Sequence, residues 1–352
     1  MTDARAGRAT EPAQEATVTQ ETGTGVEERT SSPQATPEEP TAVATRSTTT
    51  EKPDLEEVQR EGLEVESRSV WRVAWSRFLR HKLAMGSLIL LLLIFAAGIF
   101  APLLTPYGFA EQDLFNPTQG PTVEARHFFG TDQLGRDYFT RVLFGIRTTV
   151  RVALIVALLS TLIGTVIGAI AGYFGGWVDN ALMRLTDLIL TLPSLAVLLV
   201  AAALLGNGIP ERVAIILALI FWTQLARIIR GVFLSLREKE YVEAAKALGA
   251  TDIRIIFRHM LPNAVGPVVV NATLVIATAI LVEAVLSFLG FGVQPPTPAL
   301  GQLIDDGKGQ MLQAWWLVVF PGITIVLICL CINFLGDGLR DALDPTQRRT
   351  SA

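Results

Sequence analysis

The chain has 352 residues, half of them hydrophobic, and its 29 Lys and Arg against 33 Asp and Glu give a formal net charge of −4. This apolar content exceeds what a soluble domain needs, so it predicts a membrane protein. Residues 1–66 hold 15 acidic and 6 basic residues, a net of −9, which leaves +5 for the remainder. The apolar part of the chain therefore has a net positive charge, which the acidic segment outweighs in the total for the whole chain.

Residues 1–66 form an acidic arm that we expect to be disordered. Thr, Glu, Pro, Ala and Ser dominate residues 1–54, and that stretch has no aromatic residue. Such a segment buries too little apolar surface to offset the entropy lost on ordering. No basic start followed by an apolar core marks a cleavable signal peptide, so we expect the first span to act as the insertion signal. The role of the arm is left open.

Residues 67–82 are predicted to form a basic amphipathic helix. Trp71 and Trp75 fall on its apolar face, while Arg68 and Arg72 fall on the opposite face. A basic helix with tryptophan on its apolar side suits the lipid interface of an anionic leaflet. The alternative is that this segment is simply the start of the first span.

Six segments within residues 83–345 are apolar and long enough to be predicted as transmembrane helices. The predicted fold is therefore an all-α membrane protein with a short tail at residues 346–352. The third segment is the shortest, and we expect Pro193 to kink it. The six segments are Leu83–Leu104, Val150–Tyr173, Leu188–Leu205, Val213–Phe233, Pro267–Leu289 and Trp315–Leu335.

The distribution of Lys and Arg between the loops predicts that both termini are cytoplasmic. Fourteen of these residues flank one side of the six segments and six flank the other. The positive-inside rule places the richer side in the cytoplasm. We therefore expect a multi-pass protein of a bacterial cytoplasmic membrane.

Catalytic and metal-binding patterns are not apparent. His81, His127 and His259 are scattered, and Cys329 and Cys331 would point to different faces of a helix. The segment GQLIDDGKG, Gly301–Gly309, has the wrong spacing for a phosphate-binding loop and lacks its Ser or Thr. We expect no enzymatic activity, no metal, no cofactor and no nucleic-acid partner for this chain.

Two charged residues lie within predicted spans. Asp187 and Glu283 would each cost a few kcal/mol in the bilayer, about 2.5–3.5 on insertion scales at the helix centre, unless they face the bundle interior or water. One interpretation is a proton or ion path. The favoured one is that both lie near span ends, where they pair or hydrate cheaply, although the sequence does not settle whether they are functional.

The polar insert at residues 235–263 lies between the fourth and fifth predicted spans. We expect Gly249 to end or bend its first helix and Pro262 to stop the segment that follows. An insert of this kind in a membrane protein needs a partner outside the bilayer, although an ordinary connecting helix is the alternative. Its apolar residues at helical spacing are Tyr241, Ala244, Ala245, Leu248, Ile253, Ile256 and Phe257.

The first outer loop contains GTDQLGRD, residues 130–137. Gly130, Thr131 and Asp132 are read as a turn with a helix cap. Leu134, Tyr138, Val142 and Ile146 then mark one face of a helix that we expect to run along the outer membrane surface into the second span. The alternative is an interfacial helix that only sets the entry angle of that span.

The chain resembles the C-type permease of dipeptide and oligopeptide ABC importers, a family that also includes nickel importers. The resemblance rests on the motifs above together with SFLGFG at residues 287–292 and LGDGLRDALDP at residues 335–345. The resemblance covers nearly everything from Arg68 to Pro345, and only the acidic arm departs from the usual shape. It implies six helices of the type I importer kind, and it identifies the polar insert at residues 235–263 as the family's EAA loop, which contains a cytoplasmic coupling helix. It assigns ATPase coupling to Tyr241, Glu243, Ala244, Ala245, Gly249, Leu261 and Pro262, and the outer-loop motif to Gly130, Thr131, Asp132, Gly135, Arg136 and Asp137.

The same resemblance implies partners and a function. A second homologous permease, two cytoplasmic ATPases that carry ATP and Mg, and an extracytoplasmic solute-binding protein would complete an importer of dipeptides or oligopeptides. One alternative is a nickel-complex importer of the same family. Another is an ion-coupled secondary carrier, which would predict inverted repeats and paired polar breaks near mid-membrane. The sequence identifies neither the solute nor the individual partner proteins.

Overall fold

A computed structural model of the protein describes residues 70–206 and 208–343. This part of the chain is helical and contains no strand beyond two isolated bridges, Thr131 to Asp137 and Gly208 to Val293. The all-α prediction is therefore confirmed for these residues. The acidic arm and the C-terminal tail lie outside the described residues.

Twelve α-helices occur in the described ranges, together with a π-helix at Ile255–Met260 and a 3-10 turn at Lys308–Gln310. Following the predicted orientation, we call the end of the bundle that carries the helix Glu240–Ala247 the inner end and the end that carries the helix Leu300–Gly307 the outer end. The helices are α1 Val70–Arg80, α2 Lys82–Ile99, α3 Ala101–Leu104, α4 Tyr138–Phe174, α5 Gly176–Thr191, α6 Ser194–Leu205, α7 Pro210–Arg237, α8 Glu240–Ala247, α9 Asp252–Arg254, α10 Leu261–Phe288, α11 Leu300–Gly307 and α12 Trp316–Leu343.

Five of the described helical segments are long and apolar enough to cross a membrane, and the bent pair α5–α6 makes six if it counts as one span. The two helices of that pair meet at an angle of 89°. Leu192 is extended because the ring of Pro193 disfavours a helical conformation in the residue before it. The predicted kink is therefore confirmed, and it is a sharp break.

The second span differs from its prediction. α4 begins at Tyr138, well before Val150, and continues without interruption to Phe174 over 37 residues. A helix of that length measures about 55 Å, against about 30 Å for the hydrocarbon core. The predicted helix is present from Tyr138 and runs into the second span as expected, and its position along the outer membrane surface stays a prediction.

The start of the fifth span also differs from its prediction. Pro262 does not stop a helix, since α9, the π-helix and α10 follow one another directly from Asp252 to Phe288. Proline removes one backbone donor and its ring crowds the preceding turn. The π-helix lies immediately before Pro262, and such widened turns are one way in which a helix accommodates an interruption of its hydrogen bonds.

Close packing of α4 against α7 forms the centre of the bundle. Gly164, Gly168 and Gly172 fall on one face of α4, four residues apart. A Cβ at Gly168 would lie 2.5 Å from the carbonyl oxygen of Ala226, and one at Gly172 would lie 2.6 Å from the Cβ of Phe233. Small residues at this spacing let two membrane helices approach closely without any bulky side chain between them.

The predicted interfacial helix corresponds to α1, which is separate from the first span. His81 interrupts the two helices, and its ring Nδ1 accepts a 3.1 Å hydrogen bond from the backbone N–H of Ala84. Phe78 is buried against Ala84 and Ala342 near the inner end of α12. The segment is therefore a helix in its own right, and its position at the lipid interface stays a prediction.

Candidate functional site

The inner loop contains the short helix α8, which begins after the extended residue Lys239. Glu240 and Glu243 lie in its first turn and Lys246 in its last turn. Acidic side chains at the N-terminus and a basic one at the C-terminus interact favourably with the helix dipole, and they stabilise this short helix of eight residues. The predicted helix is present, with a well-defined end.

Gly249 ends α8 in the way the sequence predicts. Its φ is +79°, a left-handed conformation that side chains with a Cβ rarely adopt. Its N–H donates to the carbonyl of Lys246 at 2.9 Å, and the N–H of Ala250 donates to that of Ala245 at 3.0 Å. This pair of bonds is a Schellman motif, and it sets the direction in which the chain leaves the helix.

Val242 anchors α8 to the bundle. Its side chain is fully buried, whereas most of the helix is exposed. Three spans contribute to the cluster it enters, so α8 packs against all three through this side chain. The buried members of this cluster, besides Val242, are Ala169, Tyr173, Leu225, Ile229, Phe233, Ile255, Ile256, Met260 and Ala264.

Polar contacts of Tyr173 add to this anchor. Its hydroxyl donates to Oδ1 of Asp252 at 2.5 Å. The ammonium of Lys246 lies 5.5 Å from the centre of its ring, within cation–π range. The guanidinium of Arg237 donates to its backbone carbonyl at 3.2 Å. The inner end of α4 is thus connected to the residues on both sides of α8.

Three large apolar side chains of the insert are exposed. Leu248 is 88% exposed, Ile253 72% and Phe257 62%. Polar residues normally occupy such positions on the water-facing part of a protein, and a group of exposed apolar side chains indicates an interaction surface. We call Leu248, Ile253 and Phe257 the inner apolar patch.

The structure places the predicted coupling residues on both faces of this insert. Tyr241, Glu243, Ala244, Gly249 and Pro262 are exposed. Ala245 and Leu261 are partly buried against the cluster that holds Val242. Sequence reasoning missed Val242, because the apolar stripe it identified, from Tyr241 to Leu248, faces outward except at Ala245.

The outer-loop motif forms a compact polar cluster centred on Asp132. Its Oδ1 accepts from the backbone N–H groups of Leu134 at 2.9 Å and Arg136 at 3.0 Å. Its Oδ2 accepts from the Arg136 side chain at 2.6 Å and from Nη1 of Arg141 at 2.5 Å. Asp132 therefore stabilises its own turn and two guanidinium groups, and it is 4% exposed.

Arg141 was missed by the sequence analysis, yet it is among the largest fully buried side chains of the described residues. It connects Asp132 to Asp306 on α11, whose Oδ2 is 3.4 Å from Nη2 of Arg141. Partial burial raises the pKa of the Asp306 carboxyl, and the facing arginine opposes that shift. The signal that could have revealed Arg141 was its place on the buried face of α4, one residue before Val142.

The cap of α4 is Asp137, and the expected cap within Gly130–Thr131–Asp132 was wrong. Oδ2 of Asp137 accepts from the backbone N–H of Thr140 at 2.8 Å, as an N-cap does. Its Oδ1 lies 2.8 Å from Nδ1 of His127. Leu134 also departs from its predicted helical face, since it lies before the helix, whereas Tyr138 lies on that face and is buried.

Hydrogen bonds connect the outer loop and the start of α4 to α11 and to the last span, α12. The hydroxyl of Tyr138 shares its one proton between the carbonyl of Leu317 at 2.6 Å and that of Leu303 at 3.1 Å. The indole N–H of Trp316 donates to the carbonyl of Thr131 at 3.3 Å. Glycine lets the backbone of the outer loop approach other segments closely: Gly130 and Gly135 have positive φ, and Gly135 adjoins Asp113 too closely for any Cβ.

The two acids of the predicted spans have partners. Asp187 accepts from Nη2 of Arg227 at 2.5 Å, an ion pair between α5 and α7. Glu283 is fully buried and accepts from the hydroxyls of Ser287 at 2.7 Å and Thr149 at 3.4 Å. Thr149 in turn accepts from the N–H of Leu300 at 3.2 Å. These contacts favour a structural role for both acids.

The glycines of GQLIDDGKG serve packing. A Cβ at Gly301 would lie 2.5 Å from Cα of Ala284, and one at Gly307 would lie 2.6 Å from Cβ of Leu317. The segment is helical and turns at Lys308–Gln310, unlike a phosphate-binding loop. Across residues 70–206 and 208–343, no group of three or more His, Cys, Asp and Glu is placed to hold a metal ion.

Comparisons with known proteins identify relatives over most of the chain. Residues 164–349 match the family described as binding-protein-dependent transport system inner membrane component, and residues 69–121 match the N-terminal transmembrane domain of oligopeptide transport permease C. The oligopeptide transport system permease protein OppC of Escherichia coli (strain K12) is 43% identical over 82% of this chain and 95% of its own length. The dipeptide transport system permease protein DppC of Alkalihalophilus pseudofirmus is 42% identical over 80% of this chain and 91% of its own.

A solved chain of the inward-facing MetNI methionine ABC transporter aligns with 58% of this chain and 96% of its own length, with 19% identity and a TM-score of 0.48. The match to two curated permeases over four-fifths of the chain is far more specific. The family match over residues 164–349 includes the EAA loop at residues 235–263. The chain belongs to the family of inner membrane components of binding-protein-dependent transport systems, in its C-type permease branch.

Proposed function

We propose that this chain imports dipeptides or oligopeptides across the bacterial cytoplasmic membrane, driven by ATP hydrolysis on separate subunits. The names of the two curated relatives support a peptide solute. A second homologous permease completes the pathway, and a solute-binding protein delivers the peptide from outside. ATP and Mg bind to two cytoplasmic ATPase subunits, so that hydrolysis does not occur on this chain.

The observation that carries this proposal is the geometry of α8. Val242 anchors the helix to three spans, while Leu248, Ile253 and Phe257 are exposed. A soluble partner that covers the inner apolar patch can therefore push or pull the ends of three spans through one rigid helix. This arrangement supports energy transfer from a cytoplasmic ATPase into the membrane.

The test is uptake by the complete complex reconstituted in proteoliposomes. We expect a labelled dipeptide or tripeptide to accumulate when ATP is enclosed with the ATPases, and not when the ATPases are replaced by hydrolysis-deficient variants. Collapse of the ion gradients should leave uptake unchanged. Uptake that follows an ion gradient without ATP would assign a secondary carrier, and accumulation of a nickel complex in preference to peptides would assign a nickel importer.

A further inference from the structure

A cavity of about 420 Å³ lies beside the break in the α5–α6 pair. α7 and α10 form its other walls. Gln224 lies near the middle of α7 and Asn271 near the middle of α10, so the cavity is at mid-depth in the bundle. Its lining residues are Leu190, Ser194, Ile220, Phe221, Thr223, Gln224, Asn271, Leu274, Val275 and Thr278.

Asn271 lines this cavity and also a neighbouring one that includes Arg340. Its side chain is 8% exposed, and its Oδ1 has no hydrogen-bond partner among the described residues. A buried acceptor without a partner costs about 1–3 kcal/mol. Polar groups at this depth in a membrane protein also lack water from the lipid side. A ligand group that donates a hydrogen bond would satisfy this oxygen when the side chain turns into the cavity.

Other polar groups of the lining have unused capacity as well. The side-chain amide of Gln224 is exposed to the cavity and makes no hydrogen bond within the described part of the chain. The hydroxyls of Thr223 and Thr278 donate to the carbonyls of Ile220 and Leu274, and each oxygen keeps lone pairs that can accept. The cavity therefore offers an amide that donates and accepts, together with several acceptors.

The lining carries no formal charge. Nearby, Nη2 of Arg227 and Oδ1 of Asp187 form an ion pair at 2.5 Å, so their charges compensate each other. A cavity selective for a free metal cation would offer carboxylate, imidazole or thiolate groups. Neutral amides and hydroxyls at mid-membrane match a ligand whose own groups are alternating amide N–H donors and carbonyl acceptors, which describes a peptide backbone.

We infer that this cavity is the part of the translocation path contributed by this chain, where Asn271 and Gln224 hydrogen-bond to backbone amides of the passing peptide. The inference rests on the proposed function and adds the residues that contact the solute. Backbone recognition leaves the peptide side chains uncontacted, so one site accepts peptides of different sequence. Ser194, at the first turn of α6, completes the polar edge beside the break.

The experiment introduces a charged side chain at the cavity and measures how it changes the uptake of charged peptides. Uptake of Ala-Ala-Ala, Ala-Lys-Ala and Ala-Glu-Ala is measured in the reconstituted complex, each as the ratio of variant to unmodified protein. These ratios cancel the preference of the binding protein. We expect Asn271→Leu to lower all three by a similar factor of about 5, the worth of one hydrogen bond. Asn271→Asp should slow Ala-Glu-Ala more than Ala-Lys-Ala.

Dependence on the sign of the peptide charge separates contact with the solute from a merely structural role. Asn333→Asp is the matched control, because Asn333 is an exposed amide on α12 outside the cavity. We expect Asn333→Asp to give the same variant-to-unmodified uptake ratio for all three peptides. If the Asn271 variants fail to co-purify with their partners, Gln224→Glu and Gln224→Leu provide the same comparison on a side chain that is exposed to the cavity.

The outcomes are distinct. Equal ratios for the three peptides in Asn271→Asp, with Asn271→Leu at the unmodified rate, would overturn the site and leave the peptide importer standing. An unmodified complex that imports none of the three peptides would overturn the proposed function and this inference together.

Discussion

The hydroxyl of Tyr173 donates a 2.5 Å hydrogen bond to Asp252, although the two residues are 79 positions apart in the chain. The bond joins the inner end of α4 to the segment that leaves α8. Because Lys246 of α8 also lies over the Tyr173 ring, this tyrosine contacts the insert on both sides of Gly249. The insert is thus joined to α4 through polar contacts as well as through the buried Val242.

Tyr173→Phe should loosen this connection without removing the ring. We expect the ratio of ATP hydrolysed to peptide imported to rise, and the free energy of unfolding to fall by about 1 kcal/mol for one lost hydrogen bond. Both are measured in the reconstituted complex and in detergent. Tyr107→Phe is the control, since its hydroxyl donates to the carbonyl of Ala125 in the outer loop. A ratio unchanged from the unmodified protein would exclude this bond from coupling.

Gly249 should tolerate asparagine better than valine. Its backbone is left-handed, and a Cβ there meets no neighbouring atom, so the cost of a side chain is conformational and not steric. That cost is about 1–2 kcal/mol for most residues and least for asparagine and aspartate. We expect Gly249→Val to reduce co-purification of the ATPases and peptide uptake, and Gly249→Asn to retain most of both. Equal uptake by the two variants would show that the direction of the chain after α8 is unimportant.

Arg141→Met should destabilise the outer end of the bundle. It removes a buried guanidinium and leaves Asp132 and Asp306 without that partner, a change that costs about 3–5 kcal/mol when one member of a buried ion pair is lost. The melting temperature of the purified protein should therefore fall clearly. Arg147→Met, on the same helix, removes an exposed guanidinium that has no ion pair among the described residues, and should change it little. Similar melting temperatures for both variants would contradict a structural role for Arg141.

The orientation is tested by labelling single cysteines from outside intact cells, after Cys329 and Cys331 are replaced. Leu312 is fully exposed at the outer end and Leu248 is largely exposed at the inner end, so both are suitable positions. An impermeant thiol reagent should label Leu312→Cys, and should label Leu248→Cys only after the membrane is opened. Gln302, at the outer end, is buried and unsuitable despite its polarity. Labelling of Leu248→Cys in intact cells would reverse the predicted orientation.

Much of this architecture could be predicted from sequence because apolar length, proline and glycine act locally. The six apolar segments, the break at Pro193 and the helix end at Gly249 follow from such rules. Local apolar length places the start of the second span at Val150, since buried polar residues such as Arg141 interrupt the apolar pattern before it. Only the helical spacing of Tyr138, Val142 and Ile146 indicates the earlier start of α4. Contacts between distant segments, as between Tyr173 and Asp252 or around Asn271, depend on how the helices pack, which local spacing does not determine.

Gly168→Ala and Gly231→Ala should have opposite effects on stability, although both replace a glycine within a helix. A Cβ at Gly168 would meet the carbonyl oxygen of Ala226 at 2.5 Å and the Cβ of Ile229 at 2.8 Å, so α4 and α7 must move apart. Overpacking of this kind costs about 1–3 kcal/mol. A Cβ at Gly231 meets nothing within 4 Å, and alanine there gains about 1 kcal/mol of helix propensity. Thermal unfolding of the two variants in one detergent measures the difference, and a Gly168→Ala protein as stable as the unmodified one would show that α4 and α7 do not depend on this close approach.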